Sequence, residues 1–191
     1  MVVTRERARR GARSRTTSQG AAAVEFALVS LVLIPLVLGM VQYGLLFNDS
    51  LQTRQATRLA ARQGVVWASS ISTAPCNSGT GAAQLACRVK SLTNPVTGKR
   101  AVLVKTTQAW ARGATLYVCS VVQSAAASAG VVPVPNGGAV RSVTAMAIEK
   151  DSTSAAGFTN PTGFTGPTTE YSSDFASPST DPSGGGWSWC A

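Results

Sequence analysis

The chain has 191 residues, a formal net charge of +9, four cysteines and no histidine. Lacking histidine, it has no Ser-His-Asp or Cys-His catalytic arrangement, and Cys76, Cys87, Cys119 and Cys190 form no Cys-x-x-Cys pair for a metal. The charge is divided by segment, which argues against nucleic-acid binding: six arginines precede residue 16, ten Lys or Arg and no acid lie within Ser50 to Ile148, and five acids against Lys150 follow from Glu149.

Met1 to Gly20 is basic, contains Ser and Thr, and has no apolar periodicity. It is expected to be a disordered cytoplasmic leader whose arginines fix topology. Arg9-Arg10 lacks the apolar residues that should follow a twin-arginine pair. An ordinary secretory signal is a poor match, given the length of the next segment and the absence of a small-x-small site at its end.

Ala21 to Phe47 contains 27 residues, of which only Glu25 is charged. As a helix it measures about 40 Å, enough to cross a hydrocarbon layer of about 30 Å with tilt. The expected location is a single-pass cell membrane protein, with a cytoplasmic N-terminus and an extracytoplasmic C-terminal domain. A buried carboxylate in a membrane helix costs about 2.5 to 3.5 kcal/mol at the bilayer centre and less toward an interface, so Glu25 calls for a partner. Were the bond after Gly20 cut, the new α-ammonium of Ala21 would stand one helical turn from Glu25 or from that of a neighbour.

The order Gly20, Ala21-Ala22-Ala23-Val24, Glu25-Phe26 and an apolar helix resembles the type IV pilin leader. More narrowly, GAAAVEFALV followed by GMVQYGLLF and an Arg/Ala-rich continuation resembles the TadE and TadG minor pilins, or pseudopilins, of tight-adherence (Flp) pili. The resemblance is strongest over residues 19 to 66. It implies cleavage between Gly20 and Ala21 by a prepilin peptidase, an assembly role for Glu25, and other pilin and minor pilin subunits as partners, with adhesion as the outcome. Relatives usually carry a proline earlier than Pro35 and often an acid where Gln42 stands.

Pro35 removes one helical hydrogen bond and should bend the segment. The helix should continue to about Gln63, with Gly64 as its C-terminal cap. Arg54, Arg58 and Arg62 recur every fourth residue and form a basic stripe, read as a solvated face, with a contact for lipid headgroups or an acidic neighbour as the alternative. About 100 residues then remain for one small folded unit. Residues 82–92, AAQLACRVKSL, read as a short helix with Leu85, Val89 and Leu92 on one side. Gly79-Thr80-Gly81 is a turn rather than a nucleotide loop.

Three β runs follow: Ala101 to Thr107, Thr115 to Gln123, and Val140 to Glu149, separated by turns at Ala111-Arg112-Gly113 and Asn136-Gly137-Gly138. Asp151 to Gly186 should be largely irregular, with Trp187, Trp189 and Cys190 docking the tail end on the sheet. The cysteines should lie outside the cell, where disulfides persist. Of three possible pairings, local spacing favours Cys76 with Cys87, leaving Cys119 for Cys190.

The fold class is therefore α+β: a long N-terminal membrane-spanning helix, a small antiparallel β-sheet domain and an irregular C-terminal tail. Its segments are a leader at 1–20, the helix at 21–64, the outer domain at 65–150 and the tail at 151–191. Glu149, Glu170 and Asp174 could in principle pair for glycoside hydrolysis, but two lie in an expected loop and nothing supports their burial. No enzyme, cofactor or small-molecule substrate is expected. The function expected is that of a structural minor pilin-like subunit. An uncleaved single-pass surface protein with a ligand- or partner-binding outer domain is the alternative.

Overall fold

A computed structural model describes residues 10–67, 69–93, 98–125, 132–149, 164, 166–175 and 186–190. The chain divides into two compact units, Met1–Val41 and Gln42–Ala191. The first is the N-terminal part of α1, a helix of 56 residues from Arg10 to Val65. Helix thus begins ten residues before Gly20, inside the leader expected to be disordered. Between Arg10 and Gly20 only Gly11 is a poor helix former, and extending an existing helix gains one hydrogen bond per residue fixed. Met1 to Arg9 lie outside the described residues. Pro35 lies within α1 without ending it.

In the second unit, α1 presents its buried positions Thr53, Ala56, Thr57, Ala60, Ala61 and Val65 on one face. The small residues allow close approach. A Cβ added at Gly64 would meet the Leu116 Cδ2 at 2.8 Å and the Leu85 Cδ2 at 3.2 Å. Gly64 is therefore a packing residue inside the helix rather than its cap. The left-handed conformation falls to Trp67 (φ 47), whose N–H closes on the Gly64 carbonyl at 2.8 Å.

Helix α2 runs from Gly81 to Leu92. Thr80 caps it, its hydroxyl accepting from the Ala83 N–H at 3.3 Å. The Gly79-Thr80-Gly81 turn is thus a helix start. Leu85 and Val89 are fully buried on its inner face, and Leu92 packs at the margin.

Four antiparallel strands form one sheet in the order β3-β2-β1-β4. They are β1 (Lys99–Thr106), β2 (Thr115–Gln123), β3 (Ala139–Ala147) and β4 (Thr168–Ser173). Strand β4 lies in the tail expected to be irregular. It pairs with the free side of β1, setting Tyr171 beside Leu103 and Glu170 beside Val104. Thr and Tyr suit a pleated surface, and pairing covers an edge that β1 would otherwise expose. The rest of the tail, 151–163, 165, 176–185 and 191, lies outside the described residues.

Alternation divides the sheet into two faces. Val102, Val104, Leu116 and Val118 join Ala60, Ala61, Leu85 and Val89 in the main core, with Ile71, Ile148 and Phe164. Each such Val or Leu removed from water contributes about 1.5 to 3 kcal/mol. On the other face Leu103 and Cys119 meet Cys190, with Tyr171, Trp187 and Trp189 packed around them. The fold is α+β: a long apolar helix followed by a small four-stranded antiparallel sheet.

Candidate functional site

Gly20, Ala21 and Glu25 lie on the exposed surface of α1, and a Cβ added at Gly20 would meet nothing within 4 Å. Four residues separate Ala21 from Glu25, so the helix places them one turn apart on one side. Glu25 has no hydrogen bond or ion pair among the described residues. Around it the helix presents apolar side chains in every direction, including Phe26 (74% exposed), Leu31 (73%) and Met40 (67%). Among the described residues one helix is long and apolar enough to cross a membrane, Gly20–Val65. Such a surface has no stable place in water, whereas lipid or other apolar helices cover it without cost.

Beyond the apolar run, α1 meets the sheet through polar contacts that the sequence reading missed. Asp49 is fully buried and its Oδ2 accepts from the Ser124 hydroxyl at 2.7 Å. One and two turns on, Thr53 donates to the Asp49 carbonyl at 2.6 Å and Thr57 to the Thr53 carbonyl at 2.7 Å. The Thr57 and Ser120 hydroxyls lie 2.6 Å apart, joining α1 to β2. Earlier on the helix, Gln42 exchanges two bonds with Val132: its Nε2 donates to the carbonyl at 3.0 Å, and its Oε1 accepts from the N–H at 3.2 Å. The Tyr43 hydroxyl donates to the Pro133 carbonyl at 3.0 Å. The signal was present in the four-residue spacing of Asp49, Thr53 and Thr57. It shadows that of Arg54, Arg58 and Arg62, which all point outward.

Among the described residues, two disulfides and an ionic clip fasten the rest. Cys76 is bonded to Cys87 across 11 positions, tying the loop to α2, and Cys119 to Cys190 across 71. The second bond holds a stack in which Trp187 and Trp189 lie 5.2 Å apart, and the Arg141 guanidinium sits 5.3 Å from the Trp189 ring. Asp174, just after β4, meets the Lys90 Nζ at 2.7 Å and the Arg100 Nε at 3.2 Å. Burial alone would raise its carboxyl. The hydrogen bond and charge of Lys90, with the backbone N–H and charge of Arg100, outweigh it and hold Asp174 below the ordinary carboxylate value. Glu170 is on β4 and the Glu149 N–H donates to the Val65 carbonyl at 3.2 Å, so the three acids occupy separate structural positions. Among the described residues no cluster of three or more His, Cys, Asp or Glu could hold a metal ion.

No curated protein and no solved structure matches the chain. One family model does, that of the TadE-like protein, and it matches residues 20–62. The match begins at Gly20, includes Glu25 and runs along α1 through Thr53 and Thr57 to Arg62. Over residues 20–62, under a quarter of the chain, α1 is thus similar to the TadE-like family of the tight-adherence pilus system.

Proposed function

We propose that this protein is a structural, minor pilin-like subunit of a tight-adherence pilus, acting in pilus assembly and adhesion rather than in catalysis. The observation that carries this reading is the TadE-like match beginning at Gly20 and spanning Glu25. In this reading the arginine-rich leader stays in the cytoplasm and the cysteine-containing domain lies outside. A prepilin peptidase cuts between Gly20 and Ala21, and α1 packs against other pilin and minor pilin subunits through its apolar surface.

Glu25 supplies the assembly chemistry. A lone carboxylate among exposed apolar side chains is poorly solvated, and the α-ammonium of Ala21 on a neighbouring subunit is the counter-charge that cleavage would create. Bringing the two together recovers the cost of burying each and sets the register of adjacent helices.

The test is Glu25→Ala in cells producing the complete pilus system. Insertion and cleavage should persist, while co-purification with partner pilins falls about tenfold or more. Recovery of the variant with its partners at the parent's level would remove Glu25 from assembly.

A further inference from the structure

We propose that the two edges of the sheet recognise each other between copies of this chain. The free side of β3 in one molecule receives the free side of β4 of a second copy, and Glu170 of that copy is set against Arg58 of the first. The contact stands whether or not the chain is trimmed at Gly20.

The sheet ends in β3 on one side and in β4 on the other, and no further strand among the described residues pairs with either. Such an edge presents unpaired N–H and C=O groups, and folded proteins ordinarily blunt it with lysine, proline or a bulge. Neither β3 (AVRSVTAMA) nor β4 (TTEYSS) contains lysine or proline, and β3 pairs with β2 from Ala139 to Ala147 without a skipped residue. Arg141, the only charge on β3, is taken up by the Trp189 ring.

Strand direction supplies the polarity of the joint. All three pairings are antiparallel, so across four strands β3 and β4 run in opposite directions. A second copy in the same orientation therefore brings β4 antiparallel to β3, with its helices on the same face of the continued sheet. The joint is head-to-tail, one edge of each copy meeting the opposite edge of the next.

Charge complements the two edges. Glu170 lies beside Val104, whose side chain belongs to the helix-covered core, and cross-strand neighbours share a face. Glu170 is thus on the helix side of β4. On the other edge, Arg54 lines a cleft with Ala139 and Val140, and Arg62 one with Met146 and Ala147. The arginine stripe of α1 consequently follows the helix side of β3, with Arg58 midway, about 6 Å along the axis from each neighbour. All three arginines are exposed, and neither they nor Glu170 have an ion pair among the described residues.

One register serves both faces. With Glu170 of the second copy opposite Thr144, the carboxylate stands beside Arg58, between the two clefts. Tyr171 then falls opposite Val143 on the other face, an aromatic and a β-branched side chain of the kind that pair across strands. Val143 is 44% exposed, the one exposed large apolar side chain among the described residues of the sheet.

The full chain in detergent micelles provides the test. A benzoylphenylalanine photo-crosslinker is placed at Val143, and as a control at Arg112 in an exposed turn. Illumination should give a covalent dimer from position 143, linked to residues 168–173 of the second copy in its peptide map, and only background from 112. In the 143-labelled chain, Glu170→Arg and Arg58→Glu should each lower the dimer yield about tenfold, because like charges then face each other. The chain carrying both changes, or an equal mixture of the two single variants, should recover about half of the yield or more, since opposite charges meet again. Loss in the single variants without recovery in either of these would overturn the inference, as would yields that the charge changes leave unaltered. A dimer no more abundant at 143 than at 112, a link from 143 to 143 of the second copy, or links confined to one chain would overturn it as well.

Discussion

Asp174 gathers three elements with one carboxylate. Lys90 reaches it from α2 and Arg100 from β1, while its own N–H donates to the Arg100 carbonyl at 2.9 Å. Because its pKa is depressed in the folded protein, the clip contributes fully above the ordinary aspartate value of 3.8, and its contribution is lost as pH falls through the lower folded value. Asp174→Asn should therefore lower the urea midpoint of the detergent-solubilised chain at pH 7. The difference from the parent should shrink toward zero in strongly acidic buffer. An equal difference at both pH values would assign the effect to packing instead. Thr57 makes a different kind of contact, neutral and fully buried. Thr57→Val keeps the shape but leaves the Ser120 hydroxyl without its 2.6 Å partner. A loss of about 1 to 3 kcal/mol in unfolding free energy is expected, with Ser120→Ala in the same background recovering part of it. Gly98 is constrained by backbone: at φ 114, an added Cβ would overlap the Gln123 carbonyl. Gly98→Ala should cost about 2 kcal/mol or more, read from the same unfolding curves.

Among the elements, strands β1 and β3 were legible from alternation, as of Val140 and Met146 against Arg141, and β2, which is buried on both faces, from an almost unbroken run of β-formers. Strand β4 was not. Six residues of Thr, Glu, Tyr and Ser inside a Ser/Gly/Pro-rich stretch have no apolar alternation, and only the edge of β1 makes them a strand. The helical start at Arg10 was hidden for a related reason, since a basic segment becomes helical by continuing a helix nucleated in the apolar run. The polar seam of Asp49, Thr53 and Thr57 was visible as a spacing, but its purpose depended on Ser120 and Ser124, which are more than 60 positions away. Trp187 and Trp189 signalled a docked tail end through composition alone, because two large rings beside a cysteine are out of place in a solvated tail. The tether itself makes a prediction at this scale. The Cys119 to Cys190 bond closes a ring of about 70 residues, for which the chain-entropy model gives about 4 kcal/mol as an upper figure. Replacing both cysteines with alanine should lower unfolding stability by up to that amount. It should also raise hydrogen exchange in β4 and around Trp187 while leaving the core strand β2 protected. Unchanged exchange in β4 would show that Asp174 alone suffices to hold it.

For the molecule as a whole, the two units have opposite surfaces. Residues 20–41 expose nearly every apolar side chain, whereas Gln42–Ala191 buries its own between helices and sheet and fastens itself with two disulfides. The first surface needs lipid or other helices, and the second carries two disulfides of the kind that persist in oxidising surroundings. Both fit a subunit inserted in the membrane, trimmed at Gly20 and then passed into a fibre. In the proposed function, trimming is the step on which the counter-charge for Glu25 depends. Intact-mass measurement of the protein extracted from native membranes should find a chain beginning at Ala21, and replacing Gly20 with a bulky residue should restore the full mass. A mature chain that still begins at Met1 or Val2 in those cells would contradict the pilin reading and leave a single-pass surface protein in its place.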